Sequence, residues 1–288
     1  MFEGAYTAIV TPFNQDGQVD YDQLRALVER QIEGGVDGIV PVGTTGESPT
    51  LNVDEHLKVI QTVVDTAKGR VQIIAGTGAN ATDEALELTK QAGEMGVDGS
   101  LQVTPYYNKP NQQCLIRHFS AVADLGLPIV LYNVPGRAAR EIAIDTIVEL
   151  SAHPHVAAVK EAGGSVDRVS HIKRRCDIDI LSGDDSLTFP MMAVGAVGVI
   201  SVATNVAPRP VSDMVHYVLA GQWPEAAELH LKYHRLFCDL FLDTNPVPVK
   251  AAMAMMGLIE EVYRMPLCPM SDALKEKLSE SLRELNIL

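Results

Sequence analysis

The sequence predicts an α/β protein, a (β/α)8 TIM barrel followed by a small C-terminal helical domain. Three observations predict it. Eight short apolar runs alternate with longer amphipathic stretches through residues 1–221. Alternating β and α elements imply parallel strands joined by right-handed crossovers, and eight such units suit a closed barrel better than an open doubly wound sheet. From residue 222 to residue 288 the strand-like runs stop, so the expected division is 1–221 for the barrel and 222–288 for a three-helix domain.

The strands are expected, in order, at Tyr6–Val10, Gly38–Val42, Val71–Ala75, Gly99–Val103, Pro128–Tyr132, Val156–Lys160, Ile178–Ser182 and Gly198–Val202. Their continuous apolar character is that of strands covered on both faces. Between them Asp20–Glu33, Val53–Ala67, Asp83–Met95 and Gln112–Asp124 read as helices. In the first, Leu24, Leu27, Val28 and Ile32 recur at helical spacing, and Gly34-Gly35 supplies the stop. "GGVDGIV" at 34–40 returns as "MGVDGSLQV" at 95–103, a weak echo of repeated βα units. In the tail, "WPEAAELHLKYHRLFCDLFLD", "PVPVKAAMAMMGLIEEV" and "SDALKEKLSESLREL" each read as a helix. Met253, Met255 and Met256 read as core packing there. His230 and His234 read as a helix face rather than a metal site, because no further ligand accompanies them.

The 288 residues are 47% hydrophobic and 21% charged, ordinary globular composition. A net charge of −14 argues against non-specific nucleic-acid binding and against anionic membrane surfaces. An anionic ligand must therefore find its cations inside a pocket. "MFEGAYTAIVTPF" is too interrupted for a signal peptide, and no segment approaches the ~18 to 20 apolar residues that span a bilayer. Cys114, Cys176, Cys238 and Cys268 are scattered, which fits reduced thiols in a cytoplasmic protein rather than a disulfide framework or zinc site.

In a barrel, residues at the C-terminal ends of strands face the functional mouth. Those ends here are "GTTGES" (43–48), "TPYYNKP" (104–110), "LYNVPGR" (131–137), "VKEAGG" (159–164), "LSGDDS" (181–186) and "ISVATN" (200–205). Tyr132 and Lys160 end consecutive strands and should stand side by side. A lysine with its stem in an apolar barrel and its amine beside a phenol is a candidate carbonyl-trapping nucleophile, since desolvation favours the free amine. The plain alternative is a strand-end lysine reaching water, and position alone leaves both open. "GTTGES" offers two hydroxyls and glycine-exposed N–H groups for a small carboxylate or phosphate, or it is an ordinary βα turn. Arg137 is either a carboxylate clamp or a solvated loop arginine. Tyr106-Tyr107 is an aromatic pair in a loop, suited to packing or to a subunit contact. His153 and His155 fall at the opposite end of the barrel.

Taken together, and with "NPVPVK" (245–250) in the tail, these strand ends resemble the dihydrodipicolinate synthase family of pyruvate-dependent, class I aldolase-like barrels, over nearly the whole chain. The resemblance implies that Lys160 forms a Schiff base with pyruvate. It implies a proton relay of Tyr132, Thr44 and Tyr107, with Tyr107 reaching in from a neighbouring subunit. Thr45 would hold the pyruvate carboxylate, Arg137 the carboxylate of L-aspartate 4-semialdehyde, and the backbone at Gly183 and Ile200 the intermediate. The product would be 4-hydroxy-tetrahydrodipicolinate, on the route to diaminopimelate and lysine. No metal and no organic cofactor is implied, only the covalent imine. A homotetramer built as a dimer of dimers is implied, with Ser48, His56, Asn80, Glu84 and Tyr106 resembling a site for L-lysine as allosteric effector. Val53 stands where lysine-sensitive relatives often carry a histidine.

Two other readings share part of this pattern. A sibling pyruvate aldolase, such as an N-acetylneuraminate lyase or a 2-keto-3-deoxygluconate aldolase, would keep Lys160, Tyr132 and the "GTTGE" turn, and Arg137 argues for the synthase instead. A non-catalytic barrel sensing a keto acid or amino acid would keep the turn and lack the lysine-tyrosine pair.

Overall fold

The computed structural model describes residues 1–288. Eight strands, β1 (Gly4–Ala8), β2 (Gly38–Val40), β3 (Gln72–Gly76), β4 (Gly99–Val103), β5 (Ile129–Asn133), β6 (Val156–Glu161), β7 (Asp179–Ser182) and β8 (Gly198–Ser201), pair in sequential order. All are parallel, and β8 returns to β1, so the sheet closes into the expected barrel. Helices α1 (Tyr21–Glu33), α2 (Val53–Ala67), α3 (Thr82–Glu94) and α4 (Gln112–Ala123) follow β1 to β4. Two short helices, α5 (Pro135–Ala138) and α6 (Ile144–Leu150), join β5 to β6; α7 (Val166–Lys173), α8 (Thr188–Ala193) and α9 (Pro208–Leu219) complete the ring. The tail is α10 (Trp223–Asp239), α11 (Val247–Met255) and α12 (Asp272–Glu284). No helix is long and apolar enough to cross a membrane.

β4 and α2 have the bounds the sequence suggests, and the differences elsewhere have local causes. β1 starts two residues early because Gly4 pairs with Gly198, where a Cβ on Gly198 would stand 2.0 Å from the Gly4 carbonyl oxygen. Only glycine permits that closure. β2 stops before Pro41, which has no N–H to donate, and Val42 then turns left-handed at φ 50°. α2 is held by a capping box. Asn52 Oδ1 accepts from the Glu55 N–H at 2.9 Å, and Glu55 accepts from the Asn52 N–H at 3.2 Å.

The apolar interior has two parts. The larger lies between barrel and helices and takes in residues of the tail, among them Leu236, Phe237, Val249, Met253 and Leu278. The smaller fills the barrel itself with Phe2, Tyr6, Val40, Ile74, Leu101, Val130, Leu181 and Ile200, and Tyr132 belongs to it. The barrel interior is thus a packed core.

Candidate active site

Side chains alternate along a strand, so successive residues of a barrel strand point into the barrel and out of it. Tyr132 on β5 and Lys160 on β6 are register partners, and both are 6% exposed. The Lys160 amine lies 4.4 Å from the centroid of the Tyr132 ring. It makes no hydrogen bond and no ion pair. The next rung is Asn133 with Glu161, and it is tightly tied. Glu161 Oε1 accepts from Asn133 Nδ2 at 2.7 Å and from the Gly163 N–H at 2.9 Å, while Oε2 accepts from Arg168 Nε at 2.8 Å. Burial pushes the Glu161 carboxyl up from its usual range, against the pull of Arg168, Asn133 and Gly163. This buried brace fixes the strand ends that carry the lysine and the tyrosine. Gly183 gives the lysine its space, since a Cβ there would stand 3.0 Å from Lys160 Cε.

The "GTTGES" turn lies against the same mouth, bracketed by two left-handed non-glycine residues, Val42 and Glu47. Such backbone is uncommon and needs support from its surroundings. The tail supplies it. Lys250 on α11 reaches Glu47 Oε1 at 2.5 Å with both side chains fully buried, and it also donates to the Thr11 carbonyl at 3.3 Å. Burial pulls the Lys250 ammonium below the usual lysine range, and Glu47 opposes that shift. Arg264 grips Glu55 at the start of α2 through two bonds of 2.6 and 2.7 Å. Neither Glu47 nor Lys250 stood out as functional in the sequence. The available signal was a lone charge inside an apolar helix, which implies a buried partner.

A cavity of about 220 Å³ opens at this mouth. Lys160, Tyr132, Thr44, Thr45, Arg137 and Gly183 line it, so the structure gathers six of the eight expected catalytic and substrate residues. The Thr44 hydroxyl bonds no protein group, whereas Thr45 Oγ accepts from Asn245 Nδ2 at 3.0 Å. Arg137, on the short helix α5, donates one Nη2 bond to the Asn245 carbonyl at 3.0 Å and is otherwise unpaired. Asp184, Phe241 and Asn245 line the cavity as well and were not singled out from the sequence. The other two expected residues lie elsewhere. Ile200 is fully buried in the inner core and does not line the cavity, and Tyr107 is 88% exposed, outside it, on left-handed backbone at φ 73°.

A second cavity shares Gly43, Thr44, Tyr132 and Arg137 with the first and extends to Ser48 and Tyr106. Asn80 Nδ2 donates to the Tyr106 carbonyl at 3.3 Å. Burial first, and the Glu84 charge second, push the Tyr106 phenol up. His56 is buried beneath, with Nε2 2.9 Å from the Gly76 carbonyl, and does not line this cavity. No group of three or more His, Cys, Asp or Glu is placed to hold a metal ion.

A barrel mouth with a lysine, a phenol, a hydroxyl turn and an arginine leaves the family to be settled by comparison. The profile of the Dihydrodipicolinate synthetase family matches residues 1–285. The chain belongs to that family. Within the dihydrodipicolinate synthetase family, one relative is the 4-hydroxy-tetrahydrodipicolinate synthase of Geobacter metallireducens, 49% identical over 291 aligned positions and 100% of both chains. A solved structure of the 4-hydroxy-tetrahydrodipicolinate synthase of Methylacidiphilum fumariolicum SolV superposes with a TM-score of 0.98 at 50% identity, covering 99% of this chain and 96% of that one. The dihydrodipicolinate synthase of Acinetobacter baumannii complexed with pyruvate superposes with a TM-score of 0.98 at 43% identity over 100% of both chains.

Proposed function

We propose that this protein is a 4-hydroxy-tetrahydrodipicolinate synthase, condensing pyruvate with L-aspartate 4-semialdehyde through a Schiff base on Lys160. The observation that carries the chemistry is the Tyr132–Lys160 rung. An uncommitted amine and a phenol share a cavity with an arginine. The identity to relatives bearing that name, over the full length of the chain, supports the substrate pair.

Lys160 Nζ adds to the keto carbon of pyruvate, and loss of water leaves an iminium, with the Tyr132 phenol passing protons. The iminium acidifies the pyruvate methyl group and yields an enamine. Its carbon bonds to the aldehyde carbon of the semialdehyde, and the semialdehyde nitrogen then displaces Lys160 in closing the ring. One water is lost overall. The iminium is its own electron sink, so the reaction asks for no metal and no organic cofactor. Thr45 with the turn backbone holds the pyruvate carboxylate, Thr44 extends the proton relay, and Arg137 takes the second carboxylate. Tyr107 joins the relay from a neighbouring subunit of a homotetramer, a reading supported by its exposure and by its absence from the lining of its own cavity. L-Lysine acts as effector beside Ser48, His56, Asn80, Glu84 and Tyr106. Four free cysteines support a cytoplasmic location.

A coupled assay with pyruvate and L-aspartate 4-semialdehyde, run beside N-acetylneuraminate and 2-keto-3-deoxygluconate cleavage, tests the reading. Turnover in the first alone is expected, and efficient cleavage of either sugar acid without synthase activity would overturn it. A monomeric mass in light scattering would remove the tetramer, and a melting temperature unmoved by millimolar L-lysine would remove the effector.

A further inference from the structure

We propose that Asp184 is the binding subsite for the α-ammonium group of the second substrate, so that the cavity recognises an amino-acid aldehyde by both of its charges. The inference rests on the synthase reading above and deepens it. The cavity is lined by two cationic side chains, Lys160 and Arg137, and by one carboxylate, Asp184. Lys160 is the nucleophile, which leaves one fixed cation and one fixed anion for recognition.

Strand order sets where those charges stand. Arg137 follows β5, Lys160 is the last residue but one of β6, and Asp184 follows β7, so guanidinium and carboxylate come from the two strands that neighbour the amine's own. Lys160 pairs with Leu181 and Glu161 with Ser182. Asp184 directly follows Gly183, the residue against which the lysine stem packs.

The carboxylate is oriented and unspent. Its Oδ2 accepts one bond, from the Gly164 N–H at 3.2 Å, and its other oxygen accepts none. It forms no ion pair, with Arg137 or any other cation. The backbone beneath is locked, since Ser182 Oγ donates to the Asp184 carbonyl at 2.9 Å and Thr188 Oγ to the same carbonyl at 3.1 Å. Burial pushes the Asp184 carboxyl up, opposed by the Lys160 charge and the Gly164 N–H. A desolvated carboxylate without a cation is costly, and the cost is removed when a cationic ligand arrives. The neighbouring Asp185 makes the contrast. Its two oxygens accept from Ser201 Oγ at 2.5 Å and from the Val202 and Ala203 N–H groups at 3.0 Å each, so it is wholly engaged in structure.

L-Aspartate 4-semialdehyde carries a carboxylate and an ammonium on one carbon, two bonds from its aldehyde carbon. With Arg137 on the first group, the ammonium needs an anionic acceptor on the far side of Lys160, where Asp184 stands. That placement also keeps the nitrogen beside the lysine it must displace, the protons that the ammonium gives up passing to the departing Lys160 amine.

Asp184→Asn retains an oxygen for the Gly164 N–H and removes the charge. The test measures, in the full-length protein at saturating pyruvate, turnover of aspartate semialdehyde and inhibition by succinate semialdehyde, which is the same molecule without the ammonium. Borohydride trapping of the pyruvate imine is followed in parallel. The expected result is a KM for aspartate semialdehyde raised about 10- to 100-fold, with the inhibition constant of succinate semialdehyde and the trapping rate held near wild type. Asp184→Ala should repeat that selectivity. Equal weakening of both aldehydes, slower imine formation, or no change in either constant would each overturn the proposal. Wild-type protein that forms the pyruvate imine yet never condenses aspartate semialdehyde would instead overturn the synthase reading, and this subsite with it.

Discussion

Tyr132 and Lys160 occupy one rung of the barrel, register partners on β5 and β6 with the lysine amine 4.4 Å from the tyrosine ring centroid. The ring packs against the lysine amine, and both side chains line the same cavity. Packing and proton transfer are therefore separable functions of one side chain. Tyr132→Phe keeps the ring and should melt near wild type while kcat falls by roughly 10²- to 10⁴-fold. Turnover within a factor of two of wild type would take the phenol out of the mechanism.

Arg137 donates a single bond to the protein and lies at the open side of the cavity, so the fold does not depend on it. Arg137→Ala should raise the KM for aspartate semialdehyde by about 10- to 100-fold and leave imine formation with pyruvate intact. Steady-state kinetics beside borohydride trapping separates the two, and equal losses would mean that the arginine serves pyruvate instead.

The Glu47–Lys250 pair links the turn to the tail with both side chains fully buried. Lys250→Met strands the carboxylate and should destabilise the protein by about 3–5 kcal/mol, a fall in Tm on the order of 10 °C. Lys250→Met combined with Glu47→Leu removes both charges and should recover much of that loss. Thermal melts check both, and a single variant as stable as wild type would contradict a buried ion pair at this site.

His118 sets an acid limit on stability. Its Nδ1 meets Thr82 Oγ at 2.9 Å, its Nε2 is buried without a partner, and burial pushes its pKa down to about 4. The unfolded chain takes up this proton near the ordinary value of about 6.5, before the folded protein does. The contribution is therefore whole above that pH and is lost progressively as pH falls to about 4, roughly 3 kcal/mol in all. His56, also pushed down by burial, acts in the same direction. His216, raised by its bond to Asp37, opposes weakly because it is half exposed. His118→Leu should flatten the slope of Tm against pH across this window. An unchanged slope would place the acid sensitivity elsewhere.

The barrel was legible because its strands are apolar runs broken by polar ends, a pattern that survives in one dimension. Lys160 stood out for the same reason, as a charge at the end of "VAAV". What the chain could not display locally were partnerships across it. Lys250 meets Glu47 only because α11 folds back over the mouth, and the role of Arg137 depends on where α5 places it. Strand ends differ from the expected bounds where backbone chemistry outweighs hydrophobicity, as at Pro41 and at the Gly4–Gly198 closure. Asp184 and Asp185 look alike in "LSGDDS", and only their hydrogen bonds tell the engaged carboxylate from the open one.

The central claim is that Lys160 is the residue to which pyruvate becomes covalently attached. Reducing the protein with borohydride in the presence of pyruvate, digesting it and sequencing the labelled peptide by mass spectrometry tests that claim most directly. A single lactyl-type adduct on Lys160, absent from Lys160→Ala, is the predicted result. An adduct on another lysine, or condensation that survives in Lys160→Ala, would contradict it.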